Sequence, residues 1–583
     1  MRHLSLVIAL ASAGLLVACG GGSSDNTPDT GTGTTSSITL TGVVAKGAAL
    51  AGASVTAKCA TGSTATPATT SSTGNYTITI PSGALPCVLE AVASAADGGM
   101  VLHSVAAAGA TTTPTANITP LTELLVAQLT GQDPTSFMTS VTAGNLAAAV
   151  TDVAVTAAQT AVLVTLAAAG VDTSALASTS LIGGTLVAGS GTGYDGALDA
   201  LATKLATAGT TLTELTKTVA NTSAGAQGGS AIVAESSNPL PANLLLLAKA
   251  SNCEALRSTN YRLIKITSSA NATDTSSFTA METMRIDATT LTATFGDEST
   301  MTMVANGNCR YTLPEGDAAV SPAGVMVIRH MVGADDDTVG TIDRGRNHLI
   351  VGLPIQSSLT IADLAGTWNL LGMDRETTTI PFGGAITINA SGAITGGRCF
   401  ENDLGTSDAN CGTDAGPFPT IAAHADGGFT LTSTDPSEPW IDRIFTFKAG
   451  NGELMLLTIN NFGEFSFGTR QRALPLPTVG EANRTYTVVV DPNLVAVASQ
   501  SSSHTIASVD GSTVVRNSEA PGDAATHQET LVYNDARTGY LARTGSATVR
   551  PFHALPLLGV GLTALYMPAT ASAPGFFALS VRQ

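Results

Sequence analysis

Residues 38–44 read ITLTGVV, and residues 76–80 read YTITI. In both stretches apolar and polar residues alternate with a period of two, which is typical of a β-strand with one face in a core and the other in solvent. Clusters of Gly, Ser and Thr separate such runs and predict turns. These stretches predict a β domain over residues 38–110.

The same region resembles the carboxypeptidase regulatory-like domain, a transthyretin-like sandwich of seven β-strands. The matching features are Gly42, the step LAGASV at residues 50–55, and Gly74 and Asn75 before Tyr76 at the start of a strand. Gly74 and Asn75 tolerate the left-handed backbone of a tight turn, and Tyr76 caps the sandwich core. In its families this module is a spacer or a binding accessory, so the resemblance implies no catalytic chemistry.

The segment before this domain predicts an export signal. Residues 1–18 join a short polar start to an apolar run that is too short to span a bilayer comfortably, which is typical of a signal peptide. The following residues, LVACG at 16–20, resemble the bacterial lipobox. This resemblance implies cleavage before Cys19 and acylation of its thiol. Residues 19–37 are rich in Gly, Ser and Thr and predict a flexible tether.

The lipobox resemblance also implies a location. Gly20 stands where enteric lipoproteins that stay at the inner membrane carry aspartate. We therefore expect an outer-membrane lipoprotein that faces the periplasm or the cell surface, held by two or three acyl chains. The alternative is an ordinary secretory signal followed by a stray cysteine.

The overall charge limits the partners. The chain of 583 residues has 26 Lys and Arg against 44 Asp and Glu, and its net charge is −18. Such a surface repels phosphate backbones and anionic headgroups, so we expect no nucleic-acid partner. Attachment to a membrane is expected through the N-terminal lipid. Carbohydrate, an apolar ligand or another protein stays open as a partner.

Cysteine usage predicts disulfides in an oxidising compartment. Seven cysteines without Cys19 leave six, which allow fifteen pairings. None has the CxxC spacing of a redox dithiol or a zinc site. Pairing between near neighbours keeps each bridge within one expected domain and predicts Cys59–Cys87, Cys253–Cys309 and Cys399–Cys411.

The middle of the chain changes to helical patterns. Thr119 and Pro120 have the character of a helix cap and first turn, and Gly131 ends the apolar periodicity that follows. With the Ala- and Val-rich stretch Leu146–Ala169, they predict a small Ala-rich helical bundle over residues 117–220. Residues 221–241 are expected to be a linker.

Short strands at intervals of roughly 8–12 residues follow, a spacing typical of sandwiches and barrels. We expect one β domain at residues 242–360 and a second at 361–583. Gly366, Thr367 and Trp368 at the start of a strand resemble the first strand of lipocalin-like barrels, so the second domain is expected to be a lipocalin-like barrel or a sandwich. The predicted fold is thus multidomain and mainly β: an N-terminal β-sandwich, the helical bundle and C-terminal antiparallel β-sandwich or barrel domains.

Catalytic signatures are missing from the sequence. It has no GxSxG motif and no lysine preceded by a serine at three residues, which are the common signs of a serine hydrolase. A triad assembled by the fold stays open, and because a lone histidine among strands is usually a surface or core residue, no catalytic residue is assigned. The histidines available to it are His330, His424, His504, His527 and His553.

Metal and sugar sites have equally weak support. There is no HExxH motif, and Asp335–Asp337 lie in a loop that lacks the ligand pattern of an EF-hand. Those residues, like Asp403, Asp408 and Asp414, predict solvated acidic turns, so no metal or cofactor is expected. The two tryptophans, Trp368 and Trp440, are interpreted as core anchors rather than platforms for sugar rings. A pair of carboxylates for glycoside hydrolysis stays open.

The sequence therefore favours a cell-envelope lipoprotein with a binding or structural role. A lipocalin-like carrier with an apolar cavity behind Trp368 is a narrower form of this hypothesis. The alternative is a surface-anchored hydrolase of polymers or lipids with its site in the C-terminal β region. It requires a histidine within hydrogen-bond reach of both a hydroxyl and a carboxylate.

Overall fold

The protein is mainly β in a computed structural model of the full chain. The structure describes residues 36–108, 114–226, 239–266, 282–331, 347–356, 359–374, 380–401, 419–432, 441–460, 463–519, 526–535, 537–545, 550–569 and 574–583.

The N-terminal strands form two small sheets. The strands are β1 (Ser37–Val43), β2 (Ser54–Cys59), β3 (Ala68–Thr69), β4 (Asn75–Pro81), β5 (Cys87–Val92) and β6 (Val101–Ala106). β1 pairs with β4, and the other four are ordered β3-β2-β5-β6. In β4, Tyr76, Ile78 and Ile80 are buried and the residues between them are exposed, so the alternation predicted from the sequence is confirmed. Gly74 has φ +78°, and a Cβ there would lie 2.6 Å from the Val44 carbonyl oxygen.

The helices follow the local signals of the sequence closely. Helix α1 begins at Pro120 with Thr119 as its N-cap, and it ends at Gly131, which has a left-handed backbone. The predicted stretch Leu146–Ala169 is divided into two helices, because Thr151 interrupts it and caps the second. The helices are α1 (Pro120–Thr130), α2 (Pro134–Ser140), α3 (Ala143–Ala149), α4 (Asp152–Ala168), α5 (Gly193–Ala208), α6 (Leu212–Ala226) and α7 (Ala242–Leu245).

The N-terminal strands and the helices share one hydrophobic core that runs from Leu40 to Leu246. Helix α6 extends into the expected linker 221–241, of which residues 227–238 lie outside the described part of the chain. Among the described residues no single helix has the length and hydropathy to cross a membrane, and only the pair α3 and α4, bent by 62°, meets those criteria together.

Two disulfides are present among the described residues, and the first of them joins neighbouring strands. Cys59 in β2 pairs with Cys87 in β5, and Cys253 pairs with Cys309, as the spacing predicted. The third expected bridge, Cys399–Cys411, lies outside what the structure describes, since neither the Cys399 side chain nor Cys411 is among its described parts.

After a hairpin of β7 (Lys249–Ala250) and β8 (Cys253–Arg257), the chain builds a first β unit, residues 260–354. Its nine strands are β9 (Asn260–Ile266), β10 (Thr283–Asp287), β11 (Thr292–Phe295), β12 (Thr300–Thr302), β13 (Val304–Ala305), β14 (Arg310–Leu313), β15 (Gly316–Val320), β16 (Met326–His330) and β17 (His348–Pro354). Their order is β12-β11-β10-β9-β17-β16-β15-β14-β13. The two edge strands are separated only by Met303, so the sheet curls until its edges meet.

The second β unit, residues 366–470, repeats this path. Its eight strands are β18 (Gly366–Asp374), β19 (Ile380–Ile388), β20 (Ile394–Glu401), β21 (Ala422–Ala423), β22 (Phe429–Thr432), β23 (Ile441–Lys448), β24 (Leu454–Asn460) and β25 (Phe465–Arg470). The first strand pairs with the last, and a bridge between Ala393 and Thr420 links the two edges. Trp368 lies in β18 and is fully buried.

The third unit, residues 482–582, is a closed barrel, called the third barrel below. Its eight antiparallel strands follow one another around the ring, and the last pairs with the first. They are β26 (Ala482–Val490), β27 (Ala496–Asp510), β28 (Thr513–Glu519), β29 (His527–Tyr533), β30 (Leu541–Arg543), β31 (Phe552–Leu557), β32 (Leu562–Met567) and β33 (Phe576–Arg582). Residues 361–583, which the sequence predicted as one domain, thus contain two separate β units.

The three β units pack around a common core. It joins Val327 and Val351 of the first unit, Phe467 of the second, and Val488 and Phe577 of the third barrel. The side chain of Tyr486 also donates a hydrogen bond to Asp317 of the first unit. The outer surface of one side of the third barrel is therefore buried.

Candidate binding site in the lumen of the third barrel

The common core fixes which side chains face the inside of the third barrel. On β26, Tyr486, Val488 and Val490 point outward, since they belong to the core shared with the other units. Side chains alternate along a strand, so Thr485 and Thr487 point into the barrel. Ser580, the cross-strand partner of Thr487 on β33, lies on the same face, and the two hydroxyl oxygens are 2.7 Å apart.

The lumen is lined more loosely than the inside of the first unit. There, large side chains such as Tyr261, Tyr311 and Met326 fill the interior and are at most 1% exposed. In the third barrel many inward positions keep partial exposure although the outward positions beside them are buried; they are Asn483, Thr485, Thr487, Val489, Thr563, Leu565 and Met567. An eight-stranded barrel is just wide enough to be filled by side chains or to hold one small ligand. The short side chains of this wall favour a barrel that holds one small ligand.

One end of the lumen is apolar and closed. Leu474, in the segment before β26, packs there with Ile506, Leu531 and Leu541. Asn534, in the turn that follows β29, holds this segment through both the backbone NH and the carbonyl oxygen of Leu474, at 2.7 and 3.1 Å. Ligand entry is therefore expected from the opposite end.

A cluster of charges adjoins these apolar residues, since Arg516 lies opposite Ile506 and Arg543 lies opposite Leu531. Glu529 on β29 accepts a hydrogen bond from Arg516 Nε at 2.7 Å with one oxygen and a hydrogen bond from Arg543 with the other. Arg543 also lies over the ring of Phe552, 4.5 Å from its centroid. Burial raises the pKa of Glu529, but Arg516 and Arg543 lower it by more, so the carboxylate is stabilised. The Arg516 side chain stays 22% exposed and can reach a ligand in the lumen.

His504 lies near this cluster on the inner wall. It is 8% exposed, its Nε2 is 3.4 Å from the Thr485 hydroxyl, and its Nδ1 has no hydrogen-bond partner among the described residues. Burial and the neighbouring Arg516 lower the pKa of His504 to about 4, against the opposing effect of Glu529. The imidazole is thus neutral near pH 7, and one buried polar atom is available to a ligand.

The histidines considered for catalysis do not assemble a triad in the described contacts. His504 contacts a hydroxyl, but the carboxylate near it is held by two arginines, and a pKa of about 4 makes a poor general base at neutral pH. His424 accepts a hydrogen bond from the backbone NH of Asp426 at 3.1 Å, and His330 lies 3.0 Å from a Glu315 carboxylate oxygen.

The other two histidines lie elsewhere on the third barrel. His527 is exposed at the first position of β29, and His553 is on β31 between the inward-facing Phe552 and Ala554.

The other residues singled out from the sequence are distributed as follows. Trp368 is a core anchor, as expected: its ring is buried with Leu364 and Phe429, and its Nε1 donates to the Leu364 carbonyl oxygen at 2.8 Å. Within the described ranges no group of three or more His, Cys, Asp or Glu is placed to hold a metal. The remaining residues lie outside those ranges: Cys19, Asp335, Asp336, Asp337, Asp403, Asp408, Asp414 and Trp440.

Sequence reasoning missed the three charged residues of the lumen. Arg516 on β28 lies directly opposite Glu529 on β29, and Arg543 on β30 lies opposite Leu531 on β29. Each is a single charge at an inward position of its strand. Arg516 and Glu529 each lie two residues from a buried apolar residue, Val514 or Leu531, and so share its face of the strand. This signal can be interpreted only when the closure of the barrel is known.

A second concavity lies outside the barrels. A cleft of about 720 Å³ is lined by α6, the β7–β8 hairpin and the end of the chain, with Glu214, Lys249 and Arg582 among its residues. Its charges are mixed, and Lys249 already contacts Glu254 at 2.8 Å. The inner wall of the third barrel is the better candidate because it combines partly exposed inward side chains with a cluster of charges.

Comparison with known proteins adds little. No family model matches the chain, and no curated protein matches its sequence. Among solved structures it is similar to a DUF3598-family protein of unknown function from Nostoc punctiforme, with 11% identity over 39% of this chain and 99% of that one, at a TM-score of 0.17. It is also similar to isotype 1 transferrin binding protein B from serogroup B Neisseria meningitidis, with 7% identity over 52% of this chain and 66% of that one, at a TM-score of 0.16. At these TM-scores neither likeness carries an argument.

Proposed function

We propose that this chain is a lipid-anchored binding protein of the cell envelope, and that the lumen of the third barrel holds one small ligand with an apolar part. The observation that carries the proposal is the partial exposure of the inward residues Thr487, Val489 and Leu565 on strands whose outward residues are buried against the other units. A closed barrel whose inner wall is partly exposed is an architecture in which proteins enclose small apolar ligands.

The anchor is proposed from the sequence alone. The LVACG motif at residues 16–20 supports acylation of Cys19, and the acidic surface gives no electrostatic route to an anionic membrane. Metabolic labelling with palmitate and fractionation of membranes test it. The native chain should take up label and sediment with outer membranes, whereas Cys19→Ser should do neither; equal membrane binding of both chains would refute the anchor.

The N-terminal part is proposed as the support of the barrels. Its resemblance to a carboxypeptidase regulatory-like domain suggests a spacer, and a single core joins its strands to the helices. This arrangement would hold the β units at a fixed distance from the tether.

Ligand binding is tested by photo-crosslinking of the full chain with a dodecanol that carries a diazirine. Cross-links should map to lumen residues such as Leu565 and Met567. Thr487→Trp adds a large side chain inside the barrel and should abolish them. Thr530→Trp adds the same side chain at an exposed position of β29 and should leave them unchanged. Labelling confined to the outer surface, or equal labelling of both variants, would overturn the proposal.

A further inference from the structure

A pocket of about 380 Å³ is lined by both the first and the second β unit. The first unit supplies Arg262 from β9, and the segment that follows β17 supplies Ile355 and Leu359. The second unit supplies the turn between β21 and β22, which carries His424 and Asp426. Sites for small molecules commonly have volumes of about 300–1,000 Å³, so this pocket is large enough for one.

Arg262 is a half-buried cation without an anionic partner. One of its Nη2 hydrogens is donated to the carbonyl oxygen of Asp426, and its guanidinium lies over the ring of Phe445, 5.7 Å from the centroid. Among the described residues it forms no ion pair, and its other donors have no partner. Removing a charge from water is costly unless an opposite charge or hydrogen bonds compensate for it. An anion in the pocket supplies that compensation.

His424 adds a second donor beside Arg262. Its Nδ1 accepts a hydrogen bond from the backbone NH of Asp426 at 3.1 Å, so the neutral imidazole has its proton on Nε2. Burial and Arg443 lower the pKa of His424, and Arg262 lowers it further, against the opposing effect of Asp426, so the neutral form predominates near pH 7. The backbone of Asp426 contacts both side chains and holds them as neighbours. The His424 side chain is 22% exposed, and its Nε2–H has no partner among the described residues.

A second guanidinium makes this side of the pocket positive. Arg443 is 1% exposed, donates to the Gly427 carbonyl oxygen at 3.2 Å and lies 5.1 Å from the centroid of the Phe445 ring. Arg262 and Arg443 thus give two positive charges near the single carboxylate of Asp426, in a chain whose net charge is −18. Charges that are partly buried are weakly screened by salt.

The rest of the lining is largely apolar. It includes the buried Leu353 and Phe429, while Ile355 is 42% exposed. The side chain of Gln356 fixes this segment on β23, because it donates to the Lys448 carbonyl oxygen at 2.6 Å and accepts from the Lys448 backbone NH at 2.8 Å. The wall is therefore held in place before a ligand arrives, which lowers the cost of binding.

We infer that this pocket binds a small organic anion, a carboxylate on an apolar body, with Arg262 as its main recognition group and the Nε2–H of His424 as a second donor. The planar fork of an arginine matches the two oxygens of a carboxylate. An uncharged ligand of the same shape leaves Arg262 unpaired. The site is separate from the third barrel, and it does not require a ligand there.

The test compares two photoreactive probes with the same body on the full chain, 4-benzoylbenzoate and 4-benzoylbenzyl alcohol. Half-saturating concentrations are read from cross-links to the peptide that contains Leu353, Ile355 and Leu359. The carboxylate should bind about tenfold more tightly than the alcohol. Arg262→Gln should weaken binding of the carboxylate about tenfold and leave the alcohol unchanged. Arg285→Gln removes the same charge from an exposed position of the neighbouring strand β10 and should change neither probe.

Two further variants locate the site. Ile355→Trp adds bulk at the pocket without changing a charge and should prevent labelling of this peptide by both probes. Thr487→Trp adds the same bulk inside the third barrel and should leave this labelling unchanged. Equal binding of the two probes to the unaltered chain would overturn the inference, whether or not the variants fold. So would equal effects of Arg262→Gln and Arg285→Gln, or labelling that persists in Ile355→Trp.

Discussion

Acidification should destabilise the third barrel through His504. Burial and Arg516 hold the pKa of this imidazole at about 4, whereas its ordinary value is 6.5. Between these pH values the unfolded chain binds more protons than the folded one. The stability contributed by the neutral imidazole is therefore complete above about pH 6.5 and is lost as the pH falls to about 4.

The size of this effect follows from the two pKa values. One pH unit corresponds to about 1.4 kcal/mol, so titration of His504 removes about 3 kcal/mol in full and about 2 kcal/mol by pH 4.5. A loss of this size is large for a single domain, whose total stability is about 5–15 kcal/mol.

The assay follows urea unfolding of the full chain at pH 7.0 and pH 4.5 by hydrogen exchange of peptides from residues 482–519, which report the third barrel separately. The wild type should lose about 2 kcal/mol more than His504→Gln between the two pH values. Thr485→Val keeps the buried imidazole and should behave like the wild type. An imidazole resonance of His504 that titrates near 6.5, or an equal loss in wild type and His504→Gln, would refute the reasoning.

Three further outcomes concern the N-terminal part. Replacing Cys59 and Cys87 by serine opens a loop of 28 residues and should lower the free energy of unfolding by about 3–4 kcal/mol, as measured by urea denaturation; an unchanged midpoint would contradict this. Thr119→Ala removes the cap of α1 and should cost about 1 kcal/mol, visible as faster hydrogen exchange in that helix. Burial lowers the pKa of His103, but the hydrogen bonds and negative charges of Glu123 and Glu90 together raise it by more. The stability from these contacts is thus present below pH 6.5 and declines as the pH rises through the folded pKa, and Glu123→Gln should reduce that decline.

Local signals carried most of what the sequence revealed about the fold. A cap, a proline and a glycine fixed α1, and period-two alternation fixed the strand around Tyr76, because each depends only on neighbouring residues. The closure of the β units could not be predicted in this way. Tyr261 at the start of the first unit pairs with Pro354 at its end, and such long-range pairing leaves no mark in the local pattern.

The candidate site illustrates the same limit. Gly366 and Trp368 correctly indicated the first strand of a β unit and a core anchor, but the loosely lined interior lies in the next unit. Arg516 and Glu529 lie among polar residues that resemble an ordinary solvent-facing strand. Only the pairing of their strands shows that both side chains point into the barrel.

The packing of the three units explains why the third barrel can keep short and charged side chains on part of its inner wall. A single barrel in water depends on the side chains inside it for most of its apolar burial. Here Val488, Phe577 and Leu579 are buried on the outside against the other two units, and each such side chain contributes about 1.5–3 kcal/mol. Because the outer face supplies this burial, the inner face is released for short side chains and for charges that would destabilise a closed core. The first unit has an interior filled by Tyr261 and Tyr311 and acts as a scaffold. Burial against it stabilises the third barrel and offsets the apolar burial that the lumen does not provide.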